Sequence, residues 1–311
     1  MEFNKTPKVS VIVPVYNHDQ FLTLRIESIL NQSYQDFELI ILDDCSTDKS
    51  LSIINSYSPS KISHIITNRQ NGGSPFKQWK KGIEKAKGEY IWIAESDDYC
   101  SSNFLKIATD TFNADPLISL FYSKSEMVDE DGKFANNLDW WYSDLNANKW
   151  NESHSNDSKM EILTYLSKKN TIVNASAVVF KNTSTIVWIL NEVVNYKFCG
   201  DWMFWLIYLK STDKLFYSTN TTNYFRTHNN TTRQNVNYNR NFEILKIYKW
   251  VIKNVYDNQN KALLFKYFFD NHIIKPPRRF FFTNTWLLIK STVVTKYYFS
   301  NIILYYLKRK N

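Results

Sequence analysis

The stretch VSVIVPV at residues 9–15 constrains the fold more than any other part of the chain. Apart from Ser10 its positions are apolar and mostly β-branched, so neither face alternates to polar, which is the pattern of a strand buried on both sides. Such a strand needs helices above and below its sheet, and the sequence that follows supplies them. Phe21–Asn31 places Leu22, Ile26, Ile29 and Leu30 at helical spacing, and FELIIL (37–42) reads as a second buried strand. Ser46-Thr47-Asp48 offers a cap for a helix through Ile54. Ile62–Ile66 is a third strand, Asn71-Gly72-Gly73 a loop, Trp79–Ala86 a helix and Glu89–Ala94 a fourth strand. This repeated alternation with short connections predicts an α/β fold with a mixed, mainly parallel sheet flanked by helices. Beyond residue 115 the pattern loosens. Leu117–Tyr122 and Thr171–Phe180 read as strands, residues 136–158 as a long loop, Trp202–Lys210 as a helix, and 241–311 as mostly helical.

Open α/β sheets bind ligands outside the carboxyl ends of their strands. Three polar groups fall there: Pro14-Val15-Tyr16-Asn17, Asp43-Asp44 and Glu95-Ser96-Asp97-Asp98. In YIWIAESDDYC (90–100) an apolar strand delivers crowded carboxylates, which repel one another and are costly to bury unpaired. Either water solvates them in a turn or a cation holds them together. Carboxylates are hard oxygen ligands that suit Mg²⁺ or Mn²⁺. An ion there would clamp a diphosphate and stabilise a departing phosphate. Asp43-Asp44 is either a solvated turn or a carboxylate pair that accepts N–H from a nucleobase, with Tyr16 packing nearby. No G-x-G-x-x-G and no P-loop follow the first strand, so a mononucleotide diphosphate fits better than NAD or ATP.

PKVSVIVPVYNHDQFLTLRIESILNQSYQDFELIILDDCSTDKS followed by KGEYIWIAESDDY resembles glycosyltransferase family 2 and its GT-A (Rossmann-like) fold. The likeness is close over roughly residues 7–125 and looser to about 233. It implies a nucleotide-sugar donor, usually UDP-linked, a divalent metal (Mn²⁺ or Mg²⁺), and inversion at the anomeric carbon. Pro14, Tyr16 and Asn17 match the first nucleotide loop, and Asp44 the uracil-binding Asp. Asp97 matches the metal-binding member of the DxD motif, with Asp98 beside it and Glu95 in place of the first acid. Where the family has Ala-Arg-Asn, this chain has SPFKQWKKG. Lys77 is expected to supply the charge near the phosphates there, with Gln78 and Trp79 lining the site; the alternative makes Trp79 core and Lys77 a surface charge. CGDWMFWLIYL (199–209) resembles the acidic motif before a helix, with Gly200 ahead of Asp201. That makes Asp201 the general base, or else a helix cap. YFRTHNNTTRQ resembles the Arg-x-His segment that follows. Arg226 would reach the phosphates, His228 the metal or diphosphate, and Arg233 is a weaker candidate.

Composition bounds the setting. The 311 residues carry a net charge of +8, and from Asn271 onward there are eight Lys or Arg and no Asp or Glu. With eight of the 38 basic residues there, the rest of the chain holds 30 of each sign. A balanced body argues against a nucleic-acid groove. Three widely spaced cysteines support neither a disulfide framework nor a zinc site; those beside the acidic motifs read as small buried residues. The start is polar and then strand-like, so no secretory leader is expected and a cytoplasmic location fits. The expected organisation is a catalytic domain over 1–235 and a basic, aromatic-rich C-terminal helical extension over 236–311. The apolar runs of 286–307 are too short to span a bilayer. They pack on the catalytic domain or on another copy of the chain in a homo-oligomer, or they lie peripherally on an anionic membrane surface at its inner face. Expected partners are the nucleotide-sugar donor and a saccharide or lipid-linked acceptor, in surface polysaccharide or glycolipid synthesis. Two other classes compete: a nucleotidyltransferase, which would need a basic glycine-rich loop after the first strand, and a non-catalytic nucleotide-sugar-binding or scaffold relative.

Overall fold

The computed structural model describes residues 6–146, 148–228 and 238–255, together with residues 264, 267 and 271. In chain order its elements are β1 (Val9–Val15), α1 (Asp19–Leu30), β2 (Phe37–Asp43), α2 (Ser50–Ser56), β3 (His64–Thr67), α3 (Pro75–Ile83) and β4 (Tyr90–Ile93). Then come β5 (Tyr99–Cys100), α4 (Phe104–Ala114), β6 (Ile118–Val128), β7 (Phe134–Asn136), α5 (Asp139–Tyr142), β8 (His154–Asp157) and α6 (Ser158–Glu161). The chain ends its described part with β9 (Val178–Lys181), α7 (Ile186–Val193), α8 (Gly200–Lys210), β10 (Lys214–Arg226) and α9 (Tyr238–Asn254).

The described strands form one sheet in the order β3-β2-β1-β4-β9-β6-β10-β5, with β7 on β6 and β8 on β10. β3, β2, β1 and β4 run parallel, β9 is antiparallel to both β4 and β6, and β6 pairs parallel with β10. The mixed, mainly parallel sheet expected from the sequence is therefore what forms. Alternate side chains of β1 feed two cores. Val9, Val11, Val13 and Val15 pack with Leu22, Ile26 and Ile29 of α1 and with α4. Ile12 packs on the other face with Trp79, α7 and α8. Burial on both faces is why these strands read as unbroken apolar runs. Pro14 fits because the Ala94 N–H donates to the Ile12 carbonyl, which shows that the even positions of β1 face β4. β4 stops pairing at Ile93, opposite Ile12, so the missing donor of Pro14 removes no ladder bond.

Several expectations shift. The helix after the loop begins at Pro75 rather than Trp79, with proline in its first turn. The α2 helix starts at Ser50, whose N–H donates to Asp48 Oδ1 at 2.9 Å. Of Thr171–Phe180 only Val178 onward pairs, because the Asn174 side chain accepts from the Ser176 N–H and turns residues 175–177 into a 3₁₀ segment. Residues 136–158 are no loop: they hold the end of β7, α5, a 3₁₀ turn, all of β8 and the first residue of α6. Long-range polar contacts order them. Trp141 Nε1 donates to the Asn170 carbonyl at 2.8 Å, and Trp150 Nε1 donates to the Tyr122 hydroxyl at 3.0 Å.

The α9 helix packs on this body through the Tyr248 hydroxyl on the Lys168 carbonyl and through the buried Glu243. The basic residues from Lys275 onward, the apolar runs of 286–307 and Arg233 lie outside the described residues. Among the described helices none is long and apolar enough to cross a membrane.

Candidate active site

At the carboxyl end of β1, Tyr16 is 45% exposed and Asn17 takes a positive φ of 53°. Asn17 clasps the turn after β2: its Oδ1 accepts from the Thr47 N–H at 2.8 Å and its own N–H donates to Ser46 Oγ at 3.1 Å. At the end of β2, Asp44 is buried and its Oδ1 accepts from Asn68 Nδ2 at 2.6 Å and from the Gly72 N–H at 2.8 Å. Among the described residues every side-chain hydrogen bond of Asp44 falls on Oδ1. Gln78 Nε2 is buried beside this carboxylate with no described partner. A Cβ at position 72 would stand 3.1 Å from Gln78 Nε2 and 3.3 Å from Asp44 Oδ1, so a side chain there would crowd the cradle. Exposed Lys77 closes its rim, donating from Nζ to the Gly72 carbonyl at 2.7 Å.

The acidic turn after β4 sorts its carboxylates by environment. Glu95 points to α3, where Trp79 Nε1 donates to its Oε1 at 2.9 Å. Trp79 itself is core. Burial and then the Asp97 charge push Glu95 up to about 8, which keeps it protonated at neutral pH. Asp98 accepts from Asn174 Nδ2 at 2.8 Å and from the Arg226 N–H at 3.0 Å, and burial with Asp97 raises it also. Asp97 goes the other way. Burial works against its ionisation, but the His228 hydrogen bond and the charges of His18 and His228 outweigh that and lower it. Beneath the turn the guanidinium of Arg25, fully buried on α1, lies 5.0 Å from the Trp92 ring centroid and favours ionisation of Glu95 and Asp98.

Asp97 Oδ2 is 3.2 Å from Nε2 of His228, which is buried just past β10. A third residue joins them. The ligand atoms of His18, Asp97 and His228 all lie within 4.8 Å of one another. The sequence reading passed over His18, although it directly follows Asn17 in the first loop; burial lowers its pKa and favours the neutral ring. One carboxylate and two imidazoles form a donor set that fits a divalent ion. Glu95 and Asp98, also expected at the metal, turn instead to Trp79 and to Asn174 with Arg226. Arg226, expected at the phosphates, is only 2% exposed. Its Nε donates to the Asp97 carbonyl at 2.9 Å and its guanidinium also holds the carbonyls of Asp129 and Glu130. It therefore fixes the backbone of the acidic turn from behind.

Asp201 lies in the first turn of α8. From Trp202 to Leu209 that helix is buried all round, and Asp201 is its partly exposed acid. Asn170 Nδ2 donates to Asp201 Oδ2 at 2.9 Å. Gly200 stands where a second acid is common because a Cβ would sit 2.5 Å from the Phe76 ring. Glu243 of α9, another residue the sequence reading missed, accepts the N–H groups of Lys197, Phe198 and Cys199 at 2.7–2.9 Å and so shapes the turn that presents Asp201. One segment ties Asp201 and the acidic turn together: Asn170 holds Asp201, Asn174 holds Asp98, and Ser176 Oγ accepts from the Glu95 N–H at 3.0 Å. Four residues of extended chain span at most about 14 Å, so the two anchoring points, Asn170 and Asn174, lie close together.

The mixed, mainly parallel sheet flanked by helices, with Asp44 at the end of β2 and an acidic turn after β4, has the GT-A fold. The model of glycosyl transferase family 2 matches residues 10–178, more than half of the chain, and the chain belongs to that family. An uncharacterized glycosyltransferase of Haemophilus influenzae is 42% identical over 102 residues, 32% of this chain and 40% of that one. The poly(ribitol-phosphate) beta-N-acetylglucosaminyltransferase TarS of Staphylococcus aureus is 35% identical over 119 residues, 36% of this chain and 20% of that one. The chain thus matches less than half the length of these curated relatives. The crystal structure of TarS 1–349 with UDP-GlcNAc superposes at a TM-score of 0.70 and 18% identity, covering 91% of this chain and 81% of that one. The mannosyltransferase PcManGT of Pyrobaculum calidifontis, in complex with GDP-Man and Mn²⁺, superposes at 0.58 and 14% identity, covering 93% and 74%.

Proposed function

We propose that this glycosyltransferase moves a sugar, with inversion, from a UDP-linked donor to a hydroxyl of a saccharide or lipid-linked acceptor, in surface polysaccharide or glycolipid synthesis. The observation that carries the reading is the 170–176 segment, which holds the candidate base Asp201 through Asn170 and the acidic turn through Asn174 and Ser176. The UDP-GlcNAc bound by TarS and the acceptor polymer in its name support the donor and acceptor classes.

Asp44 Oδ2 and Gln78 Nε2 supply an acceptor and a donor to the edge of the nucleobase, with Tyr16 against its face. Lys77 stands at the rim of that cradle as the cation for the phosphates. A divalent ion held by Asp97 and His228 would offset the charge that develops on the departing diphosphate. Asp201 accepts the proton of the acceptor hydroxyl as that oxygen attacks the anomeric carbon from the face opposite the leaving group. The C–O bond to the acceptor forms as the C–O bond to the diphosphate breaks, and configuration inverts without an enzyme nucleophile. Asn170 donates to Asp201 Oδ2 and so fixes the orientation of the carboxylate.

A screen of UDP-sugars, read as nucleotide release in the presence of saccharide acceptors with Mn²⁺ or with EDTA, tests this. Release that requires the ion and falls about 10²–10⁴-fold in Asp201→Asn is the expected result. Full release in EDTA, or an Asp201→Asn enzyme as fast as the parent, contradicts it.

A further inference from the structure

We propose that His18 is a third protein ligand at the Asp97–His228 centre, and that the resulting two-imidazole, one-carboxylate face favours a first-row transition ion such as Co²⁺ over Mg²⁺. The inference rests on the metal site of the preceding section and extends it to a residue outside the acidic motif and the Arg-x-His segment.

The ring of His18 is held in place from several sides. Asn17 before it is locked onto Ser46 and Thr47, and the His18 N–H donates to Ser50 Oγ at 3.2 Å. Its Nδ1 is 2.8 Å from Ser96 Oγ. Ser96 lies between Glu95 and Asp97, so the acidic turn itself orients the imidazole. With Nδ1 engaged by the hydroxyl, Nε2 is the nitrogen left for an ion. This is the usual way in which an outer hydrogen bond selects the ligating nitrogen of a histidine. The His18 and His228 rings meet edge to face with centroids 5.5 Å apart, and Phe21 lies 5.0 Å from the His228 ring and 6.1 Å from His18. Phe21 thus walls one side of the pair.

Ligand chemistry sets the preference. Mg²⁺ requires near-octahedral oxygen donors and retains its waters, whereas imidazole suits the later first-row ions. A DxD-type site that relied on carboxylates alone would take Mg²⁺ readily. Here two carboxylates of the turn are engaged by the protein, and two imidazoles take their place. Affinity should therefore climb from Mg²⁺ through Mn²⁺ to Co²⁺.

The test uses the full chain stripped with EDTA and desalted, titrated calorimetrically with CoCl₂, MnCl₂ and MgCl₂ in the absence of donor. The parent protein should bind Co²⁺ on the order of 100-fold more tightly than Mg²⁺. In His18→Asn, which places a favoured N-cap residue before α1 and keeps a polar group within reach of Ser96, Co²⁺ affinity should fall about tenfold or more while Mg²⁺ affinity changes little. His18→Asp, which exchanges nitrogen for oxygen, should move the Co²⁺/Mg²⁺ ratio further toward Mg²⁺. Circular dichroism and thermal melting verify that each variant is folded, and if one is not, the other carries the ratio. An unchanged Co²⁺/Mg²⁺ ratio in the folded variant overturns the proposal. Because no turnover is measured, a ratio that collapses in a protein that releases no nucleotide keeps His18 as a ligand and rejects the transferase reading. A ratio that holds in an active enzyme does the reverse.

Discussion

The ends of β2 and β4 read alike in sequence, each an apolar run stopped by carboxylates, yet the fold surrounds them with different partners. At β2 the donors are amides. Asp43 Oδ2 accepts from the Ser46 N–H, and Asp44 Oδ1 accepts from Asn68 and Gly72. At β4 the carboxylates divide. Half-buried Glu95 and buried Asp98 are hydrogen-bonded and pushed up, while Asp97 is drawn down beside two imidazoles. Amides leave a carboxylate oxygen suited to a neutral hydrogen-bonding edge, and imidazoles leave one suited to an ion. The crowding in YIWIAESDDYC is thereby eased: burial and the Asp97 charge push Glu95 up to about 8 and raise Asp98 as well, while Asp97 is held low beside His228 and His18.

The sharpest way to break this contrast is to neutralise each end in turn. Asp97→Asn should lower kcat about 10³-fold, because ion-borne stabilisation of the leaving group is worth several kcal/mol. Asp44→Asn should act on binding, raising the KM for the donor about tenfold with kcat changed far less, as expected for one charge-assisted hydrogen bond. If steady-state kinetics show the same kcat loss for both, the two ends do the same work and the contrast is lost. A smaller effect should come from Trp79→Phe, which removes the Nε1 donor from half-buried Glu95. We expect it to cost about 1–3 kcal/mol in denaturant unfolding, with donor KM little changed. A variant that unfolds like the parent would show that Glu95 does not depend on that bond. The smallest effect belongs to Lys77→Ala. With Lys77 exposed at the rim, its pull on the phosphates should be screened, so the donor KM should rise only a few-fold and that rise should shrink as salt is added; a large, salt-independent loss would show that Lys77 works from a desolvated position rather than from the rim.

What the sequence made legible follows the same division. Buried strands and the polar groups at their ends could be read locally, because period and turn chemistry are properties of neighbouring residues. Asp44 and Asp97 emerged that way. His18 did not, although it sits in the same loop as Asn17, since nothing local shows that its ring meets Asp97 and His228. Residues 136–158 read as a loop because their order comes from Trp141 reaching Asn170 and Trp150 reaching Tyr122. Glu243 was invisible for the same reason: its three amide partners lie more than forty residues earlier. Arg226 was legible as a residue but not as a geometry. Its charge suggested phosphate, and only the placement of the 97 and 129–130 carbonyls shows that it holds the acidic turn.

Crystals of the full chain soaked with MnCl₂ and UDP, with anomalous scattering recorded for manganese, test the central claim most directly. Our account predicts a manganese peak within ligand distance of Asp97 and His228, bridging to the β-phosphate, with the uracil edge at Asp44. A manganese peak elsewhere, or UDP bound away from the ends of β2 and β4, would contradict it.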